Sequence, residues 1–286
     1  MSDRLRKILS RVPLHIALVA VALIWLTPSL GLLVSSLRPP DAVNQTGWWT
    51  VLTHLFDTSQ YTLRNYREIL SAQGMAIAFR NSLLITIPST VIPIAIAAFA
   101  AYAFAWMEFP GRQVIFVVVV GLLVVPLQMT LIPLLRAYNR LGLAGTYIGI
   151  WLAHTGYGLP FAVYLLRNFF GALPRDLFES AYLDGASELT AFFRLALPLS
   201  VPALASLAIF QFLWVWNDLL VALIYLGGTE QVAPLTLRLS SLVNSLGQNW
   251  HLLTAAAFVS MALPLVVFFS LQRYFVRGIL AGSVKG

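Results

Sequence analysis

The sequence predicts an all-α integral membrane protein with six transmembrane helices, and its composition and periodicity carry that prediction. Hydrophobic residues make up 59% of the 286, charged residues only 10%, and mean hydropathy is +0.82. A soluble domain carries about 25% charged residues, so lipid must solvate most of this surface. A helical span needs about 20 apolar residues, and runs of that length recur between short polar intervals. The net charge of +7 does not point to nucleic acid. Lys7 and Lys285 are the two lysines, and the arginines gather at span ends, where they act as topology signals. With no cysteine, disulfides and thiolate metal sites are excluded.

In chain order, a basic tail (residues 1–11, with Arg4, Arg6, Lys7 and Arg11) precedes a first span over 12–37. That run is too long for a signal-peptide core, and Ser35-Ser36-Leu37-Arg38 lacks the small-x-small cleavage pattern, so the span is expected to be retained. Residues 38–74 form a polar segment in which Trp48 and Trp49 read as an interfacial aromatic belt. The core, 75–275, holds five further spans. The second, about 75–106, contains Pro88 and Pro93 and ends in an alanine-rich face suited to close helix approach. A polar turn at 108–112 leads to a third, about 114–135, with Pro126, Gln128 and Pro133. The fourth, about 146–170, is expected to break at Gly156-Tyr157-Gly158-Leu159-Pro160, and its lone His154 reads as a packed residue rather than a metal ligand. The fifth covers about 199–226, a polar loop 227–250, and the sixth 252–275, before a basic tail over 276–286. Six spans put both termini on one side. That side holds eleven of the lysines and arginines against seven on the other, which marks it as cytoplasmic.

Between the fourth and fifth spans lies the most charged interval of the second half, 174–198. Pro174 suits a helix start, where a missing N–H costs nothing, and Asp176 and Glu179 fall near the positive end of the dipole. Gly185 follows Asp184 where a left-handed cap is expected. Ser187 can cap a second helix, in which Leu189, Phe192, Phe193, Ala196 and Leu197 fit a single apolar face expected to tie the elbow to the bundle. Pro198 and Pro202 then end or bend it. The prediction is a polar elbow of two short helices outside the bilayer.

Glu179-Ser180-Ala181-x-x-x-Gly185, followed after nine residues by Leu195-Ala196-Leu197-Pro198, resembles the E-A-A-x-x-x-G/I-x-L-P motif of ABC-importer permeases. Glu179, Ala181, Gly185, Leu197 and Pro198 match; Ser180 stands at an alanine position and Leu195 at the isoleucine. The ending Gly282-Ser283-Val284-Lys285-Gly286 resembles the tail of maltose-type sugar-importer permeases. The likeness spans nearly the whole chain. It implies a type I ABC importer permease fold, in which Glu179, Ser180, Ala181, Asp184, Gly185, Ala186, Leu197 and Pro198 form the coupling elbow. It also implies that the tail contacts the ATPase. The implied partners are a second related permease, two ATP-binding subunits holding the ATP-Mg, and an extracytoplasmic sugar-binding protein. Gln45-Thr46-Gly47-Trp48-Trp49 is similar to α-glucoside importers, which suggests α-glucosides as cargo.

The sequence carries no G-x-x-x-x-G-K-[ST] phosphate loop, and no G-x-S-x-G, H-E-x-x-H or paired-carboxylate pocket, so neither cofactor nor catalysis is expected of it. Asp218 is the exception in an apolar run. A charge at a helix centre costs about 2.5–3.5 kcal/mol on insertion scales, so it should face a polar cavity or a partner. Asn217 and Asp218, with Gln211 and Gln128, are read as lining a hydrophilic path; an interhelical hydrogen bond or a salt bridge near the outer surface is the alternative for Asp218. An ion-coupled secondary transporter is the rival class, disfavoured by the scarcity of intramembrane carboxylates and of internal repeats.

Overall fold

A computed structural model describes residues 3–71, 74–242 and 249–283, and among these every regular element is helical. In chain order they are α1 (Asp3–Ser36), α2 (Pro40–Gln45), α3 (Arg64–Ser71), α4 (Met75–Trp106), α5 (Arg112–Gly121), α6 (Leu127–Leu141) and α7 (Tyr147–Gly171). Then come α8 (Arg175–Leu183), α9 (Glu188–Ala191), α10 (Leu197–Leu199), α11 (Val201–Trp216), α12 (Leu220–Leu226), α13 (Leu235–Leu242) and α14 (Trp250–Ser283).

Among the described residues three stretches are long and apolar enough to cross a membrane as single helices: Arg11–Ser36, Met75–Trp106 and Trp250–Arg273. Two more qualify only as bent pairs. α5 with its following 3-10 turn meets α6 at 101°, and Glu188–Leu199 meets α11 at 73°. The expected third span is therefore not straight. Pro126 lacks an N–H and drives Val125 into extended backbone (φ −73°, ψ 115°), which stops the helix there. The expected fifth span is interrupted at Asn217–Leu219. The expected break in the fourth does not occur: α7 runs through Pro160 without interruption. The polar loop 227–250 contains a helix of its own, α13.

The chain forms two compact units. The first is Met1–Ala76 with Leu239–Met261. Arg38, 1% exposed, is its polar centre: its guanidinium donates to the Thr46 and Gly47 carbonyls at 3.1 and 3.0 Å. The Asn65 amide donates to the carbonyls of Ser36 (2.9 Å) and Arg38 (2.8 Å), and Thr62 N–H donates to Leu37 O. Residues 62–65 are thereby pinned to the end of α1.

The second unit is Ile77–Arg238 with Ala262–Gly286. One core gathers Ala97, Ala98 and Ala101 of α4, Ala162 and Leu166 of α7, and Ala203 and Leu207 of α11, so the alanine face does bring helices together. A second core joins α6, α7 and α12 around Ile150, Val221 and Tyr225. Gln211 on α11 is buried and donates to Ser89 O on α4 at 3.1 Å. Its amide lies where a side chain at Gly158 of α7 would stand, 2.7 Å from an added Cβ. Gly158→Ala is therefore expected to destabilise the fold by about 1–3 kcal/mol, the cost of disturbing a buried hydrogen bond. Gly156→Ala, whose Cβ meets nothing within 4 Å, should leave thermal unfolding in detergent unchanged. Equal midpoints for the two variants would contradict this packing.

Candidate functional site

The elbow forms as its residues dictate. Pro174 sits at the N-cap of α8 (φ −61°, ψ 124°). At the other end Gly185 adopts φ +82°. Ala186 N–H donates to Ala181 O at 2.9 Å and Gly185 N–H to Tyr182 O at 3.0 Å. That 6→1 and 5→2 pair is a Schellman cap, and it needs the left-handed backbone that glycine adopts freely. Ser187 then caps α9, its Oγ accepting from Thr190 N–H at 3.3 Å. The chain continues through a turn of π-helix, Phe192–Ala196, into α10 and the 73° bend.

What fixes this elbow is a set of contacts that local reading missed. One carboxylate oxygen, Glu188 Oε2, accepts hydrogen bonds from Tyr182 Oη of α8 and Tyr102 Oη of α4, both at 2.8 Å. Burial pushes the Tyr182 hydroxyl above its ordinary value, so it stays a donor at neutral pH. Below it, Phe178 is fully buried and stacks on Trp106 at 3.9 Å between ring centroids. Trp106 Nε1 donates to Phe170 O at the end of α7. Phe192 and Ala196 complete the contact.

The expected apolar face is only partly right. Phe192 is buried as anticipated, but Leu189 and Phe193 are more than half exposed. The i→i+5 turn rotates the helix after Ala191 out of the 3.6-residue repeat that put all three together. Turned outward instead are Glu179, Ser180 and Asp184, with Leu183 at 89% exposure. Ala181 and Ala186 carry the Schellman bond, and Leu197 and Pro198 lie in the bend. Of the tail, Gly282 and Ser283 fall in the last turn of α14, while Val284, Lys285 and Gly286 lie outside the described residues.

The four residues read as a path have different surroundings. Asp218 faces inward at the break between α11 and α12. Its Oδ2 accepts from Ala222 N–H at 2.9 Å and its Oδ1 from Val221 N–H at 3.2 Å, so it caps α12. His154 Nε2, from α7, lies 3.8 Å from Oδ2, and its ring stands edge-on to Trp214. Asn217 is exposed and bonds back to Leu213 O; Gln128 is exposed on α6. Gln211 lines a cavity of about 260 Å³ together with Tyr157, Phe161, Phe210 and Trp214. Aromatic faces beside an amide suit a polyhydroxylated ligand, which stacks its ring and bonds its hydroxyls.

The chain is thus a multi-pass helical bundle that carries a capped elbow of two short helices. Residues 82–281 match the family described as binding-protein-dependent transport system inner membrane component, and the chain belongs to that family of ABC-importer permeases. It is 64% identical to the osmoprotective compounds uptake permease protein GgtD of Synechocystis sp., covering 99% of this chain and 95% of that one. It is 45% identical to the alpha-glucoside transport system permease protein AglG of Rhizobium meliloti, with coverage of 95% and 96%. A crystal structure of a bacterial ABC transporter that imports the acidic polysaccharide alginate contains a chain that superposes with a TM-score of 0.76. Identity is 21%, and coverage is 96% of this chain and 99% of that one. The family sets aside the ion-coupled alternative and makes the chain a membrane permease, not an enzyme.

Two outcomes follow from this geometry. Glu188→Ala removes the acceptor shared by Tyr102 and Tyr182, and hydrogen bonds to charged groups contribute about 1.5–3 kcal/mol. Limited trypsin digestion in detergent should then cut at Arg175 or Arg194 faster than in the wild type; an unchanged rate would deny the carboxylate its role. Asp218→Ala should lower stability by about 0.5–2 kcal/mol through loss of the cap. Asp218→Asn, which keeps an acceptor, should recover most of that in thermal unfolding. An asparagine variant as unstable as the alanine one would refute capping.

Proposed function

We propose that this chain is one permease subunit of an ATP-driven carbohydrate importer, with α-glucosides and related small polar glucosides as cargo. It pairs with a second permease and two ATP-binding subunits, takes cargo from an extracytoplasmic binding protein, and keeps both termini in the cytoplasm. The observation that carries the coupling role is the elbow: a rigid unit fastened to α4 and α7 on one side and presenting Glu179 and Leu183 on the other. An ATPase groove with a basic residue and an apolar floor would fit that outer side. The cargo reading is supported by the named substrates of the relatives and by the aromatic and amide lining around Gln211. Asp218 and Asn217, beside the α11–α12 break, and Gln128 on α6 belong to the proposed path as its polar fringe.

In this reading ATP binding closes the ATPase pair and swings the elbow as a body, and α4 and α11 follow. Gly185→Val tests the reading directly. A β-branched residue at φ +82° is strained by about 1–2 kcal/mol, and the Schellman turn should open. In the complex reconstituted with its ATPase and binding protein, wild type should take up labelled α-glucosides with substrate-stimulated ATP hydrolysis. The variant should insert in the membrane but lose both. Undiminished hydrolysis would refute the coupling role, and wild-type uptake of every labelled solute except glucosides would refute the cargo.

A further inference from the structure

Among the described residues the polar segment after α1 holds a cluster of large apolar side chains that nothing in its own unit covers. Trp49, Leu52, Leu55, Phe56 and Leu63 are each more than half exposed, and Phe56 is 97% exposed. A water-facing segment of 15 residues has no reason to present five such groups together, and contiguous exposed apolar surface marks a contact.

Three observations decide what the contact is. First, the Trp48 indole lies directly over Gly31 of α1: a Cβ built there would stand 2.8 Å from Nε1. Gly31 is inside the apolar stretch Arg11–Ser36, five residues short of its end, or about 7.5 Å down the helix axis. The 3-10 turn Trp48–Thr53 therefore folds back alongside the last turns of the span and does not rise away from them. Second, residues 62–65 return to the terminus of α1 through the bonds to Ser36 O, Leu37 O and Arg38 O, so the segment between stays beside the last turns of the helix. Third, the polar groups nearest α1 are taken up by bonds within the segment. Thr50 Oγ1 donates to Gly47 O at 2.8 Å, and the buried Arg38 takes up the carbonyls of Thr46 and Gly47. The side toward α1 is hydrogen-bonded, while the outer side mixes Leu52, Leu55 and Phe56 with the exposed His54, Asp57 and Ser59, an amphipathic composition that suits a headgroup boundary.

From this we infer that the turn at residues 48–63 is a lipid-seated anchor. It lies in the headgroup region of the leaflet at the C-terminal end of α1, with Leu52, Phe56 and their neighbours turned into the acyl boundary. It fixes the depth of α1 by packing Trp48 against the helix and Trp49 against lipid, as interfacial tryptophans do elsewhere. The belt expected from the sequence is thus split: Trp48 is a protein contact, and Trp49 belongs to the lipid-facing set. The inference stands apart from the elbow reading and from the identity of the cargo.

The chain has no cysteine, so single nitroxide labels can be placed without altering any other residue. Labels at Leu52→Cys and Phe56→Cys, with Trp49→Cys as a further site, would be measured in the assembled transporter in vesicles of phosphatidylethanolamine and phosphatidylglycerol. The ratio of oxygen to water-soluble nickel-chelate collisions should approach that of Ile24→Cys on the exposed face of α1, several-fold above the same label free in buffer. Buffer-like ratios at 52 and 56 would overturn the anchor. So would labels shielded from both reagents, or shielded on adding the loaded binding protein, since a protein would then be the occupant.

Discussion

A single carboxylate oxygen joins three helices at the elbow. Glu188 Oε2 draws together α9, which carries it, α8 through Tyr182, and α4 through Tyr102. Without that acceptor the two arms of the elbow would have no polar link beyond the four-residue turn 184–187, and only the apolar contact of Phe178, Phe192 and Ala196 would join them. Charge-assisted bonds of this kind are roughly twice as strong as neutral ones. The Phe178–Trp106 stack adds an apolar contact one turn earlier on the same face of α8. The elbow is therefore a body, held at one end by a polar clamp and at the other by a ring stack. Its outer surface is left free of both.

The second constraint comes from lipid. No water reaches the hydrocarbon core, so backbone irregularity survives there only where protein satisfies it. The helix interruption at Asn217–Leu219 meets that condition. The Asp218 carboxylate takes the first free N–H groups of α12, and Thr236 Oγ1 donates to the Asp218 carbonyl at 2.6 Å. A carboxylate in an apolar run is thus accounted for by the helix start it makes possible. The same residue can still border a solvated path, because an N-cap at a helix break is also where a bundle leaves room.

Much of the elbow was legible in the sequence because its determinants are local. Pro174, Gly185 and Ser187 each act within four residues, and each sits in the backbone state its chemistry favours. The helix breaks were less legible. Pro88, Pro93, Pro133 and Pro160 lie inside helices, whereas Pro126 ends one. Nothing near them in sequence separates the two behaviours; tertiary neighbours decide which freed carbonyls are met. The π turn at Phe192–Ala196 likewise escaped a 3.6-residue template, and the residues on its two sides do not share the single face that template gives. Tyr102 and Glu188 are 86 residues apart, and one sequence gives no sign that they meet.

A rigid elbow dictates where movement must be absorbed. If α8 and α9 move as one piece with Tyr102, then α4 is pulled directly, since Tyr102 lies one turn from its end at Trp106. α11 shares a core with α4 through Ala203 and Leu207, but its chain connection to the elbow is the 73° bend, where Ser200 N–H is shared between Ala196 O and Leu197 O at 3.1 Å each. A shared donor can lean toward either acceptor at little cost, and Pro198 and Pro202 on either side have no N–H to lock the angle. The link to α4 is stiff and the link to α11 is compliant. A push on Glu179 and Leu183 would thus shift the Ala97–Ala101 face of α4 more than the start of α11. Under the proposed coupling role, the two helices would shift relative to each other beside the cavity that Gln211 lines.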